Sequence, residues 1–369
     1  MKTTTLTRPA HLDGLERYES GKPIEEVQRE LGLRRVVKLA SNENPLGPSP
    51  AALASAHAAL AQVHRYPDGP GSLLRQGLGR RHRLEPAQVV VGNGSTDLID
   101  LLARAYLAPG DNAVIAEEGF ARFRQCVNAR NGGARLVPMR EHVHDLEAMA
   151  AAVDARTRLL FVANPNNPTG TWNSRAEVET LLERLPGDVL LVLDEAYFEY
   201  ADHPAYPNGL DYVRAGAPVV VLRTFSKVYG LAGLRLGYAL CAPEIAEALD
   251  TVREPFNSNL VGQVAALAAL EDHGHLVRSL ELNRVEKARL EQALRARGLA
   301  PLPSLTNFLC VDVGQEGAAL YKRLLQKGVI VRPLRPYGLH SWLRISVGTS
   351  DENDSLLEAL DAVLEAPRP

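Results

Sequence analysis

Short apolar runs alternate with helical patterns between residues 89 and 241, and this alternation constrains the fold more than any other feature. Most runs are apolar at consecutive positions, which is typical of strands that are covered on both faces. Helical stretches such as Asp97–Tyr106, His144–Val153 and Ser174–Leu185 lie between them. The pattern predicts an α/β fold with a mostly parallel seven-stranded sheet flanked by helices. The predicted strands are Val89–Val91, Asn112–Ala116, Arg135–Met139, Arg158–Ala163, Val189–Leu193, Val219–Leu222 and Leu236–Cys241.

The pattern changes after about residue 252 and predicts a second, smaller α/β domain at the C-terminus. A long helical region covers Leu260 to Arg297, and a closing helix starts at Asp351. Between them the candidate strands are Asn307–Val313, Val329–Arg332 and Trp342–Val347. We therefore predict an N-terminal arm (1–40) that joins the small domain, a large domain (41–250) and a small domain (251–369).

The composition indicates an ordinary globular protein with a formal net charge of −3 over 369 residues. This charge gives no electrostatic case for nucleic-acid or membrane binding. No apolar run reaches the length that spans a bilayer, and residues 1–9 lack the apolar core of a signal peptide. Cys126, Cys241 and Cys310 are widely separated, so we expect neither a disulfide framework nor a metal site. We expect a cytoplasmic enzyme.

Polar residues follow the predicted strands at the points where a ligand site would form. Right-handed crossovers place the loops after parallel strands at one edge of the sheet. Gly94-Ser95-Thr96 follows the first strand, Asn164 to Gly170 the fourth, Asp194 the fifth and Lys227 the sixth. Residues that are distant in the sequence should therefore meet in one crevice.

These groups are the set that pyridoxal 5'-phosphate (PLP) requires: an amine for a Schiff base, a carboxylate for the ring nitrogen and donors for the phosphate. Lys227 would supply the amine and Asp194 the carboxylate. Arg235, eight residues after Lys227, and a helix N-terminus behind Gly94 would bind the phosphate. Each residue taken alone has a simpler interpretation: a solvated lysine, a carboxylate in a structural ion pair, a packed Tyr197, or Ser95 and Thr96 as a helix cap.

The motifs together resemble the PLP-dependent aminotransferases of the aspartate aminotransferase fold and, within them, the histidinol-phosphate aminotransferase family. The resemblance runs from about residue 36 to 350. The motifs are Asn164-Pro-Asn-Asn-Pro-Thr-Gly170, Asp194-Glu-Ala-Tyr197, Thr224-Phe-Ser-Lys227, Leu231-Ala-Gly-Leu-Arg-Leu-Gly237, Leu39-Ala-Ser-Asn-Glu-Asn-Pro-Leu-Gly-Pro48, Arg65-Tyr-Pro-Asp68, Gly92-Asn-Gly-Ser95 and Leu343-Arg-Ile-Ser-Val-Gly-Thr349.

The resemblance implies a role for each cofactor residue. Lys227 would form the Schiff base and transfer the proton, and Asp194 would pair with the pyridine nitrogen. Asn167 and Tyr197 would contact the ring hydroxyl, and Phe120 would stack on the ring. The phosphate would be held by Ser95, Thr96, Thr224, Ser226 and Arg235. Tyr66 would reach the phosphate of the partner subunit's cofactor, which makes a homodimer a functional requirement.

The resemblance also implies that Arg344 binds the anionic end of the substrate with the help of Arg332, while Tyr18 and Asn44 line the pocket. The expected reaction is transamination of L-histidinol phosphate with 2-oxoglutarate to imidazole acetol phosphate and L-glutamate, in histidine biosynthesis. Phe120 stands where many relatives have tyrosine, which retains stacking but removes a hydroxyl contact. A broad or aromatic amino-acid aminotransferase is the close alternative, and a threonine-phosphate-type PLP decarboxylase is a more distant one. A PLP-sensing regulator would need a DNA-binding module, for which about 35 residues ahead of the resemblance leave no room.

Overall fold

The structure is a computed structural model and describes residues 9–12 and 21–364, so the predicted pocket residue Tyr18 lies outside the described residues. The strands are β1 Val37–Lys38, β2 Val89–Gly92, β3 Asn112–Ala116, β4 Gly133–Val137, β5 Thr157–Ala163, β6 Leu190–Asp194, β7 Val219–Thr224, β8 Gly237–Leu240, β9 Phe308–Asp312, β10 Val329–Ile330, β11 Arg332–Leu334 and β12 Leu339–Ser346.

Helices cover both faces of the main sheet and build most of the remainder. The α-helices are α1 Ile24–Leu31, α2 Pro50–Leu60, α3 Ser72–His82, α4 Ser95–Tyr106, α5 Ala121–Ala129, α6 Leu146–Ala151, α7 Arg175–Arg184, α8 Gly209–Arg214, α9 Pro243–Val252, α10 Leu260–Glu271, α11 His273–Ala296, α12 Gly317–Gln326 and α13 Ser350–Leu364. Short 3-10 helices span Ala10–Leu12, Pro86–Gln88, Phe198–Tyr200, Ala232–Leu234 and Arg335–Tyr337. None of the described helices is both long and apolar enough to cross a membrane.

The seven predicted apolar runs all form strands of one seven-stranded sheet, which confirms the predicted fold class. The strand order is β2-β8-β7-β6-β5-β3-β4. Strands β7, β6, β5, β3 and β4 are parallel, and β8 runs antiparallel to both of its neighbours, β2 and β7. The strand predicted at 135–139 begins and ends two residues earlier, at Gly133–Val137.

The strands are apolar at consecutive positions because each face of the sheet packs against its own core. In β7, Val219 and Val221 belong to one hydrophobic cluster, whereas Val220 and Leu222 belong to the cluster on the opposite face. Successive side chains of a strand point to opposite faces, so both sets are buried. Full burial of each such side chain contributes about 1.5–3 kcal/mol.

A separate hydrophobic core lies outside the main sheet and contains residues of β9, β12, α12, α13 and the C-terminal half of α11. Strand β1 pairs in parallel with β10, and Val37 and Leu39 belong to this core. Helix α10 instead packs against α2, and its Ala265 and Ala266 belong to the core of the large sheet. The domain division at residue 250 stays a prediction, and the packing of α10 favours a boundary inside α11.

A buried ion pair lies under the site that the sequence predicts. Glu195 follows Asp194, and its carboxylate accepts hydrogen bonds from Arg223 at 2.8 and 3.0 Å and from the backbone N–H of Gly209 at 2.7 Å. The side chains of Glu195 and Arg223 are 1% and 3% exposed. The Arg223 guanidinium also lies 3.4 Å from the centroid of the Phe198 ring. The two charges are therefore removed from water, and their hydrogen bonds and the ring contact offset the cost of desolvation.

We expect Glu195→Gln and Arg223→Met each to lower the free energy of unfolding by about 3–5 kcal/mol, because each leaves one buried charge without its partner. The double variant should lose less than the sum of the two losses. Urea denaturation of the four proteins measures this coupling. The exposed pair Arg284–Glu281 is the control, where the same change should cost about 0–1 kcal/mol. Equal small losses at both pairs would contradict the prediction.

Candidate active site

The carboxyl ends of β5, β6 and β7 open into a cavity of about 470 Å³ that also borders strands β11 and β12. It brings together most of the residues that the sequence predicts. The lining residues are Gly21, Ala40, Ser41, Asn42, Ser95, Thr96, Phe120, Arg122, Ala163, Pro165, Asn167, Asp194, Ala196, Tyr197, Thr224, Ser226, Lys227, Arg235, Arg332 and Arg344.

Asp194 lies at the floor of the cavity, as the last residue of β6. It is 4% exposed, and its carboxylate accepts a hydrogen bond from the backbone N–H of Ala196 at 3.1 Å. Burial raises the pKa of Asp194 to about 7, although the Ala196 hydrogen bond and the charge of Lys227 act in the opposite direction. A cationic ligand group at this carboxylate would restore its ionised form.

Lys227 approaches the cavity from the neighbouring strand, three residues after the end of β7. Its Nζ lies 3.4 Å from the carbonyl oxygen of Ser41 and 5.5 Å from the centroid of the Tyr197 ring. The Tyr197 hydroxyl accepts a hydrogen bond from Asn42 Nδ2 at 2.8 Å. An amine, a carboxylate and a positioned phenol thus surround one volume.

An anion-binding cup lies at the N-terminus of α4. Ser95 and Thr96 form its first turn, where free backbone N–H groups and the helix dipole favour a phosphate. Arg235 Nη1 reaches the same place and lies 3.3 Å from Ser226 Oγ. Gly94 has φ of +85°, and a Cβ there would lie 2.6 Å from Arg235 Nη2, so glycine is needed for this approach.

Thr224 and Ser226 fix the backbone at the other side of this cup. Thr224 Oγ1 donates to the carbonyl of Leu236 at 3.2 Å and accepts from the Ser226 N–H at 3.1 Å. An amine, a buried carboxylate and this phosphate cup match the three groups that PLP presents, so the residues fit this cofactor.

Strands β11 and β12 contribute Arg332 and Arg344, which are directly paired residues. Directly paired residues of antiparallel strands project from the same face, so both guanidinium groups belong to one side of the cavity. Arg344 donates to Asn167 Oδ1 and, at 2.6 Å, to the carbonyl of Ala40. Its Nε is buried and finds no acceptor among the described residues. Arg344 is therefore positioned but incompletely satisfied, as expected for a residue that binds an anion.

Phe120 lines the cavity and is the N-cap residue of α5. Its ring makes an edge contact with Phe123, with centroids 5.7 Å apart, and Phe123 stacks on Phe161 of β5. A flat apolar ring is thus anchored to the core of the sheet, where it could cover a planar ligand.

Two predicted residues lie away from the cavity wall. Asn44 donates to the carbonyl of Val228 at 2.7 Å and to Ser279 Oγ at 2.9 Å, and it accepts from the N–H of Leu46. These bonds use the Asn44 amide for local structure, and Asn42 lines the cavity in its place. Tyr66 is 83% exposed on the surface of the chain.

The sequence analysis also missed Asn42, Ser41, Gly21 and Arg122, which line the cavity. Asn42 has φ of +55°, a conformation that asparagine tolerates better than most residues. The segment Ser41-Asn-Glu-Asn44 contains two asparagines, however, and the sequence alone does not tell which of them lines the cavity. The described lining residues include four arginines and Lys227 but only one carboxylate, Asp194. This excess of positive charge favours anionic ligands.

The comparisons with known proteins agree with this geometry. The family model "Aminotransferase class I and II" matches residues 34–360. Histidinol-phosphate aminotransferase 2 of Pseudomonas aeruginosa is 50% identical over 352 residues, which is 95% of each chain. Histidinol-phosphate aminotransferase 2 of Methylococcus capsulatus is 47% identical over 370 residues, which is 99% of this chain and 100% of that one.

This chain belongs to the histidinol-phosphate aminotransferase family. The solved structure of histidinol-phosphate aminotransferase from Sinorhizobium meliloti in complex with pyridoxal-5'-phosphate superimposes with a TM-score of 0.89 at 32% identity, covering 98% of both chains. Membership confirms that the chain is a PLP-dependent aminotransferase, as the motifs predicted. The role of each residue in the cavity is proposed below.

Proposed function

We propose that this enzyme transfers the amino group of L-histidinol phosphate to 2-oxoglutarate, giving imidazole acetol phosphate and L-glutamate in histidine biosynthesis. The observation that carries the proposal is the cavity in which Lys227 and Asp194 face the paired arginines Arg332 and Arg344. The identity to proteins named histidinol-phosphate aminotransferase over nearly the full length supports the choice of substrate.

Bound PLP supplies an electron sink for the carbon atom that carries the substrate's amino group. Asp194 would hold the ring nitrogen in its protonated form, because the buried carboxylate is stabilised by a cation beside it. Lys227 would bind the cofactor covalently and, once displaced by substrate, move a proton from the substrate's amino-bearing carbon to C4' of the cofactor. Asn167 and Tyr197 would contact the ring hydroxyl, and Phe120 would cover the ring.

The phosphate of the cofactor would lie in the cup of Ser95, Thr96, Thr224, Ser226 and Arg235. Arg344, with Arg332 beside it, would bind the phosphate of histidinol phosphate, because a guanidinium fork matches phosphate oxygens in two parallel hydrogen bonds. In the second half-reaction the same fork would bind a carboxylate of 2-oxoglutarate. One anion site thus serves both half-reactions.

Steady-state kinetics with competing amino donors test the substrate. We expect kcat/KM for L-histidinol phosphate to exceed that for L-phenylalanine by at least about 100-fold, since phenylalanine offers the arginine fork a singly charged carboxylate in place of the more highly charged phosphate. Equal values would favour a broad aromatic aminotransferase. Carbon dioxide release from threonine phosphate without any keto acid would instead favour a decarboxylase.

We further propose that the enzyme is a homodimer and that Tyr66 reaches the cofactor phosphate of the partner subunit. Tyr66 is exposed and stacks on Phe256, itself an exposed apolar residue, with ring centroids 4.6 Å apart. Leu60, Val63 and Leu73 nearby in the sequence are 54%, 58% and 67% exposed. Exposed apolar residues grouped in this way are typical of an interface between subunits.

We also propose a cytoplasmic location, in keeping with three free, buried cysteines.

Tyr66→Phe should raise the Kd for PLP by about tenfold, because it removes one hydrogen bond to a charged phosphate. The stack on Phe256 is retained in this variant, whereas Tyr66→Ala removes both contacts. Equilibrium dialysis of PLP measures the affinity, and sedimentation measures the oligomeric state. A PLP-saturated monomer, or unchanged PLP affinity in a dimeric Tyr66→Phe protein, would contradict the role of Tyr66.

A further inference from the structure

A further guanidinium group lines the cavity and has no part in the functions proposed above. Arg122 lies in the first turn of α5, two residues after Phe120. The next arginine of the same helix, Arg124, is exposed and does not line the cavity. Arg122 therefore differs from its neighbour in facing the place where ligands bind.

The described residues leave Arg122 incompletely paired. Nη1 donates to Gln125 Oε1 at 2.9 Å, Nη2 lies 3.5 Å from Cys126 Sγ, and the buried Nε has no acceptor. None of the ion pairs among the described residues includes Arg122. A cation in the first turn of a helix is also disfavoured by the helix dipole. An anionic ligand would relieve each of these costs.

The strand order places Arg122 away from the cofactor's phosphate cup. Ser226 and Arg235 follow β7, whereas Arg122 follows β3, three strands along the sheet and about 14 Å away at the usual strand spacing. The loop before α5 instead contacts the loop after β5, where Asn166 Nδ2 donates to the carbonyl of Glu118 at 3.1 Å. The residue after Asn166, Asn167, accepts a hydrogen bond from Arg344. Arg122 thus belongs to the same end of the cavity as Arg344.

The two substrates of the proposed reaction differ in the number of anionic groups. Histidinol phosphate carries one phosphate, and its other substituent is a neutral or cationic imidazole. Glutamate and 2-oxoglutarate carry two carboxylates. If Arg344 and Arg332 bind the anion common to both substrates, the distal carboxylate occupies the space that the imidazole takes in the donor. That carboxylate requires a second cation.

We propose that Arg122 binds the distal carboxylate of the dicarboxylic co-substrate and so selects 2-oxoglutarate over monocarboxylic 2-oxo acids. This inference rests on the proposed transamination for the identity of the donor, but the preference for a dicarboxylate can be tested without turnover. Arg122 is then a specificity residue of the second half-reaction and has no role in binding histidinol phosphate.

The test compares Arg122→Gln with the matched control Arg124→Gln, both as PLP-loaded proteins. Calorimetry gives the Kd of two unreactive probes, glutarate with two carboxylates and butanoate with one. The wild-type protein and Arg124→Gln should prefer glutarate. Arg122→Gln should bind glutarate about 10- to 100-fold more weakly, the loss expected for one charge-assisted hydrogen bond, and butanoate unchanged. Its KM for 2-oxoglutarate should rise, while the half-reaction with histidinol phosphate keeps its rate.

Three outcomes would overturn the inference: equal losses for glutarate and butanoate in Arg122→Gln, an unchanged preference for glutarate, or a weaker affinity for PLP with the preference intact. Failure of the proposed function gives a different result. In that case histidinol phosphate is not a donor for the wild-type protein, but the preference for glutarate still disappears in Arg122→Gln.

Discussion

Replacing Lys227 with alanine should lower kcat by about 10⁴-fold or more and abolish the absorbance of covalently bound PLP. Lys227 is the amine beside Asp194 in the cavity, with its Nζ close to both the Ser41 carbonyl and the Tyr197 ring. Lys227 is the only lysine among the described residues that line this cavity. Loss of a positioned acid–base group alone typically costs 10²- to 10⁴-fold, and here the covalent attachment is lost as well.

Lys322→Ala is the control, because Lys322 is exposed on α12 and is not among the residues that line the cavity. It should retain both the activity and the spectrum of the wild-type protein. Single-wavelength absorbance and steady-state rates on the three proteins measure the effect. A Lys227→Ala protein that keeps the bound-cofactor spectrum and even a tenth of the activity would show that a different amine holds PLP.

Asp194→Asn should make the free energy of unfolding of the PLP-free protein less dependent on pH. In the PLP-loaded enzyme the same change should lower kcat by about 10²- to 10³-fold, as for other preorganised electrostatic groups. Burial raises the pKa of Asp194 from 3.8 to about 7. A carboxyl group whose pKa is higher in the folded state stabilises the fold fully at pH values below the unfolded-state pKa. That stabilisation is lost as the pH rises through the folded-state pKa. The wild-type apoprotein therefore loses stability between about pH 4 and pH 7.

Urea denaturation of the two apoproteins at pH 5 and pH 8 measures this contribution. From pH 5 to pH 8, the wild-type apoprotein should lose about 3 kcal/mol more unfolding free energy than Asp194→Asn does. This follows because each pKa unit corresponds to 1.36 kcal/mol. PLP should restore stability at pH 8 to the wild-type protein and much less to the variant. Asp188→Asn, at an exposed carboxylate, should show no such shift. A pH-independent difference for Asp194→Asn would contradict a neutral, buried carboxyl group.

Most of the sheet was predictable because six of its seven strands are buried on both faces, and such short apolar runs between turns are too short for buried helices. The exception is the edge strand β4, which is mostly exposed and whose predicted bounds were shifted by two residues. Asp194 and Lys227 were predictable for the same reason, since polar residues directly after such runs lie at the carboxyl edge. The short strand β11 was merged with β10, because Val331 between them is as apolar as its neighbours.

The cavity residues that the sequence analysis missed are placed there by tertiary contacts, which no local sequence pattern reveals. Asn42 and Asn44 differ in the hydrogen-bond partners that the fold gives them. Asn42 donates to the hydroxyl of Tyr197, whereas Asn44 donates to the carbonyl of Val228 and the hydroxyl of Ser279. No local pattern separates two such asparagines. Likewise, Arg122 and Arg124 are two arginines of the same helix, and the sequence alone does not distinguish them. The way in which α5 packs on the sheet places Arg122 in the cavity and Arg124 on the surface.

The most direct measurement of the central claim is a single half-reaction of the purified, PLP-loaded enzyme without any keto acid. L-histidinol phosphate is mixed with the enzyme, and the absorbance of the bound cofactor is followed as it converts to its amino form; L-phenylalanine is tested in parallel. The account predicts rapid, complete conversion by histidinol phosphate and slow or no conversion by phenylalanine. Equal or faster conversion by phenylalanine, or none by histidinol phosphate despite a bound cofactor, would contradict it.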